Sequence, residues 1–123
     1  MSRRTEMLGS TIRRELAEMI LRDLSDERLA GLPSITRVQV SPDLSVADVF
    51  VTVMGTEGHQ NAALMALRHS AGLMRTKLAR SLSLRMAPYL KFHLDEQLKK
   101  ELAVLEALKK IEDERKQKEN EPT

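Results

Sequence analysis

The stretch RHSAGLMRTKLAR (68–80) decides how this chain is read. Three small residues, Ser70-Ala71-Gly72, interrupt what is otherwise the apolar spacing of one amphipathic helix. A glycine inside a helix costs about 1 kcal/mol relative to alanine, so it needs a reason. The apolar stripe resumes within two residues. The pattern therefore predicts a kink between one helix over 61–71 and a second over 73–82, stopped by Pro88. Glycine permits such a break and lets another backbone come close. A break would free N–H groups at the start of the second helix, and these, with the helix dipole, favour an anion. Arg68, Gly72 and Arg75 fall at i, i+4 and i+7, on one helical face. The stretch reads equally as a seat for a phosphate backbone or as a C-cap glycine between two packed helices.

Outward from this stretch the periodicity changes twice. Upstream, 35–41 (ITRVQVS) places Thr36, Val38 and Val40 alternately with Arg37 and Gln39, a strand pattern. SPDL (41–44) is a turn signal, because Pro42 presets φ and Asp43 can bond nearby backbone. Val46–Met54 is a second strand, with Ala47, Val49, Val51 and Val53 on one face and Asp48, Phe50 and Thr52 on the other. Before the hairpin, 4–24 carries Leu8, Ile12, Leu16, Met19 and Ile20 at helical spacing. Gly31 and Pro33 break the chain between them. Downstream, Tyr89–Leu94 is a third strand with Leu90, Phe92 and Leu94 inward. Glu96–Arg115 is a last helix along Leu98, Leu102, Leu105, Leu108 and Ile111, with Asp95 and Glu96 as its cap. More often than not such a stripe packs on its own domain. Residues 116–123 (KQKENEPT) read as a polar, disordered tail. The expected architecture is one α+β domain over 1–115, two layers thick, with a three-stranded sheet covered on one face.

The chain has 123 residues, room for one core. It has no cysteine, which removes disulfides, thiolate metal sites and cysteine catalysis and fits a reducing cytoplasm. No secretory signal or transit pattern is evident in the first twenty residues. Net charge is only +2, but its distribution is uneven. From Ala62 to Leu94 there is no acid, while Arg68, Arg75, Lys77, Arg80, Arg85 and Lys91 are basic. Such a one-sign stretch predicts a positive surface that attracts polyanions. Aromatic residues are only 2% of the chain, so base stacking has few rings to use.

The order of elements resembles the type II KH fold of RNA-binding domains, α-β-β-α-(kink)-α-β followed by a C-terminal helix. Most such domains carry a GxxG loop between the two central helices, and none stands there in this chain. The pieces ITRVQVSPDLSVADVFVTVMG (35–55), SAGLMRTKLARSLSLRMAP (70–88), LKFHLDE (90–96) and RDLSDERL (22–29) instead make the chain similar to the ribosome-binding factor A family, from about Arg4 to Asp95. That family writes its kink Ala-x-Gly; here the first position is Ser70, whose hydroxyl can bond a freed backbone group. The resemblance implies a non-enzymatic factor for ribosome biogenesis. It implies binding to the rRNA of the small (30S) ribosomal subunit and its precursor during late maturation, and support of 16S rRNA 5′-end processing and of cold adaptation. It also implies a cytoplasmic monomer that an assembly GTPase helps to release, with no membrane and no cofactor.

On this reading Ser70, Ala71 and Gly72 lie against the RNA backbone. Arg75, Lys77 and Arg80 contact phosphates, Arg68 and Arg85 stand at the margins, Lys91 extends the patch on the open sheet face, and Arg3 and Arg4 add to it from a loose N-terminus. With few rings and many cations, shape and phosphate should dominate recognition, and affinity should fall steeply with salt. Phosphate loops, dinucleotide loops, HExxH and nucleophile elbows are all missing, and His59, His69 and His93 are scattered. No catalytic or metal constellation is present, so an enzyme ranks last. The stronger rival is a protein-interaction module built on the leucine stripe of the last helix.

Overall fold

The structure, a computed structural model, describes residues 2–31 and 33–120. Helix α1 (Arg3–Arg22) starts at Ser2, whose side chain accepts from the Thr5 N–H. Its buried line is Ile12, Leu16, Met19 and Ile20. A 3-10 turn, Glu27–Leu29, follows, and its Leu29 is buried in the core. Strands β1 (Ser34–Val40) and β2 (Val46–Thr52) pair antiparallel. The turn between them is set by Asp43, which accepts from the Ser41 and Ser45 hydroxyls and the Ser45 N–H. Those bonds hold its carboxyl at about 2, below the ordinary 3.8. Asp43 is thus the turn residue that the sequence suggests.

Helix α2 (Glu57–Ser81) and strand β3 (Tyr89–Leu94) come next. β3 pairs parallel with β2, giving the sheet order β1-β2-β3. Inward residues of the strands, among them Val49, Val51 and Phe92, meet Ile12 and Leu16 of α1 and Leu67, Met74 and Leu78 of α2 in one core. Both helices therefore lie on one face of the sheet, and among the described residues the other face carries no helix. Among the described residues no helix is long and apolar enough to cross a membrane.

Two expectations fail here. The two central helices are one: α2 runs unbroken through Ser70-Ala71-Gly72. Continuous burial of Leu67, Met74 and Leu78 on both sides of Gly72 outweighs a penalty of about 1 kcal/mol. Nor does Pro88 stop the helix. It ends at Ser81, where Ser83 takes a left-handed φ of 53° and the Leu84 N–H bonds the Ala79 carbonyl across the end at 2.8 Å.

Helix α3 (Glu96–Glu119) is capped by Asp95, which accepts from the Leu98 N–H at 3.0 Å. It buries none of its residues. Leu102, Leu105, Leu108 and Ile111 are all more than half exposed, so the stripe does not pack on its own domain. The helix also continues through 116–119, where the composition suggests a disordered tail; 121–123 lie outside the described residues.

Candidate nucleic-acid interface

α2 lies over β3, and its outer ridge follows the free edge of that strand. Arg68, Gly72 and Arg75 share the ridge as their spacing predicts. Arg68 donates from Nε and Nη2 to the Phe92 carbonyl at 3.2 and 3.0 Å. Arg75 donates from Nε to the Ala87 carbonyl at 2.9 Å, and its guanidinium lies 3.8 Å from the centre of the Tyr89 ring. Two of the expected phosphate ligands are therefore fasteners as well. Arg68 satisfies a carbonyl of the edge strand and Arg75 one just before it, and both charges remain beside the ridge. A shallow groove lined by Arg68, Ala71, Leu90, Lys91, Phe92 and His93 runs between helix and strand.

Gly72 stands at the exposed crest of this groove. A Cβ there would meet nothing within 4 Å, so no contact inside the fold requires the glycine. No helix terminus opens at this point either, and the freed amides expected there are not available. Ser70 makes no side-chain hydrogen bond among the described residues; the hydroxyl that reaches this stretch belongs to Thr76, which bonds the Gly72 carbonyl at 3.1 Å. What is left at the crest is bare backbone of low relief with a cation on either side.

The acid-free window of sequence does not stay acid-free in space. Lys77 pairs with Asp23, the residue that caps α1, at 3.4 Å. Arg22's hydrogen bond and charge, with Lys77 adding to them, hold the Asp23 carboxyl below its usual range. His93 meets Asp48 at 2.8 Å, and Ser81 donates to Glu15 at 2.8 Å. Arg80, Arg85 and Lys91 are exposed and have no carboxylate within 4.0 Å among the described residues. Arg80 does not share the ridge of Arg75. Five residues separate the two, about 140° around the helix.

Arg3 and Arg4 are not loose. They form the first turn of α1. Glu15 of α1 and its cap Asp23, which reach α2, lie toward the other end of the helix, while Gly9 rests on Val38 of β1. The structure does not bring Arg3 and Arg4 to the α2 ridge. Among the described residues no group of three His, Asp or Glu could hold a metal.

Sequence reasoning missed Arg37 and Phe50. Arg37 lies over the Phe50 ring at 4.0 Å, on the helix-free face of the sheet. The alternation of β1 and β2 does point both outward, but nothing in the sequence pairs them, because the strand register is not written locally. A bulge at Thr36 shifts that register.

A two-layer α+β domain with this strand order, a helix over an edge strand and a basic crest is a KH-like domain. Comparison with known proteins agrees and goes further. The family model for ribosome-binding factor A matches residues 4–108. A ribosome-binding factor A of Desulforamulus reducens is 40% identical over 111 residues, covering 90% of this chain and 92% of that protein. The crystal structure of ribosome-binding factor A from Thermus thermophilus superposes with a TM-score of 0.65 at 33% identity, over 73% of this chain and 93% of the other. A Thermus thermophilus ribosome binding factor A model fitted into the cryo-EM map of its 30S complex gives a TM-score of 0.60 at 34% identity, over 72% and 92%. The chain belongs to the ribosome-binding factor A family.

Proposed function

We propose that this chain is a non-enzymatic assembly factor of the small ribosomal subunit. It binds rRNA of the immature 30S particle late in maturation and supports 16S rRNA 5′-end processing, in the cytoplasm and most importantly in the cold. The observation that carries the RNA contact is Gly72: an exposed glycine in an unbroken helix, needed by nothing in the fold and flanked by cations. Its bare crest admits a sugar–phosphate backbone closely, with Ser70 and Ala71 beside it. Arg68 and Arg75 supply charge from fixed positions, while Arg80, Arg85 and Lys91 supply mobile charge. Lys77 contributes less, because Asp23 already neutralises it. Arg3 and Arg4 would act at a separate point. The factor acts as a monomer, and an assembly GTPase promotes its release from the matured particle.

Co-sedimentation with immature and mature small subunits across a salt series tests this reading. Salt-sensitive binding that prefers the immature particle is expected; binding to neither at low salt would overturn it. A second reading has one observation in its favour, the exposed apolar residues of α3. A protein partner on α3 would be retained at high salt and lost on removal of 102–123.

A further inference from the structure

We propose that the helix-free face of the sheet is a second RNA site, one that takes the unpaired bases of a single-stranded segment; this rests on the RNA-binding reading above. The chain has three aromatic residues, Phe50, Tyr89 and Phe92. Phe92 is in the core, and the other two both stand on this face. In register, Arg37, Phe50 and His93 form one row across the three strands, and Asp48 and Lys91 face each other in the next. Each of these rings, half-buried Phe50 and exposed Tyr89, carries a guanidinium: Arg37 at 4.0 Å from the Phe50 centroid and Arg75 at 3.8 Å from that of Tyr89. His93 lies 5.2 Å from Phe50, tilted by 34° and held by Asp48. Tyr89 is 59% exposed.

Planar groups thus stand at both ends of β3, from Tyr89 to His93, about 13 Å apart along the strand. Lys91 lies between them, exposed and with no carboxylate within 4.0 Å among the described residues. Rings and guanidinium planes stack on any base, and a lysine between them meets the connecting phosphate. Arg37, Arg75 and Lys91 stand against Asp48 and against buried Asp95, which lies 3.9 Å from Arg37, so the face keeps a net positive charge, as a polyanion requires. Bases in an A-form duplex are already stacked on one another and leave no face for a ring, so the occupant that uses these rings is single-stranded. β3 borders both this face and the α2 groove. One strand can therefore pass from the Gly72 crest over β3 onto the rings.

The test uses the full chain, a fluorescein-labelled ten-nucleotide single-stranded RNA of mixed sequence, a hairpin of equal charge, and immature small subunits. The double variant Phe50→Leu/Tyr89→Leu keeps apolar bulk and removes both rings; circular dichroism checks its fold, and Lys91→Gln serves if it fails to fold. Expected are tighter binding of the single strand than of the hairpin, and an affinity for it about tenfold lower per ring removed. Lys91→Gln should weaken it severalfold and flatten its salt dependence. Equal affinity of the folded double variant and the parent, or a preference for the hairpin, would overturn the proposal. If the parent binds immature subunits but not the single strand, the sheet-face site falls and the assembly-factor reading stands. If it binds neither, both fall.

Discussion

A Cβ added at Gly9 on α1 would stand 2.8 Å from the Val38 carbonyl oxygen of β1; one added at Gly72 on α2 would meet nothing within 4 Å. Both glycines sit inside amphipathic helices, and both bear the same intrinsic penalty. On α1 the missing side chain lets helix and strand backbones touch, and packing offsets the penalty within the fold. On α2 nothing inside the fold offsets it. The proposed function supplies the missing return: RNA backbone outside the molecule, admitted by the bare crest. The same contrast separates the arginines: Arg75 is spent half on the fold, while Arg80 and Arg85 are not.

The largest effect should come from breaking the α1 side. Gly9→Ala forces a methyl group against a carbonyl that cannot swing away, and should destabilise by about 1–3 kcal/mol in urea unfolding. Arg75→Ala comes next. It leaves the Ala87 carbonyl unpaired and removes the stack on Tyr89, a loss of about 1–2 kcal/mol. Arg80→Ala should stay within about 0.5 kcal/mol of the parent, yet reduce the salt slope of subunit binding by about one contact. Gly72→Ala should stabilise by about 0.4–1 kcal/mol, read as a higher midpoint. The smallest effect is in acid. Asp43 and Asp26 titrate at about 2 in the fold, the first through Ser41 and Ser45, the second through Arg28. Because both values lie below the ordinary 3.8, their contribution is complete above about pH 4 and lost as pH falls toward 2. Asp43→Asn should flatten that part of the pH–stability curve.

The sheet was legible in the sequence to within a residue or two, because alternation in 46–52 and 89–94 leaves little choice of face. The helix-rich half was less so. The small run at 70–72 reads as a break when judged by propensity alone, but the stripe of Leu67, Met74 and Leu78 binds both halves to one core. The exposure of α3 was hidden for the opposite reason: its leucines have the spacing of a packed helix, and spacing does not say whether a surface is there to receive them. The roles of Arg68 and Arg75 lie in bonds to carbonyls 24 and 12 residues away, and such bonds leave no local pattern. The acids that temper the basic window, Glu15, Asp23 and Asp48, come from α1, the residue that caps it and β2, and enter it only in three dimensions.

Gly72→Leu tests the central claim most directly. A Cβ there meets nothing within 4 Å in the free protein, and leucine has a better helix propensity than glycine, so the melting temperature should hold or rise. Sedimentation with immature small subunits is the readout. The account predicts about a tenfold or greater loss of affinity with the fold intact, a cost of about 1.4 kcal/mol or more. Unchanged affinity would contradict it and remove the Gly72 crest from the RNA interface.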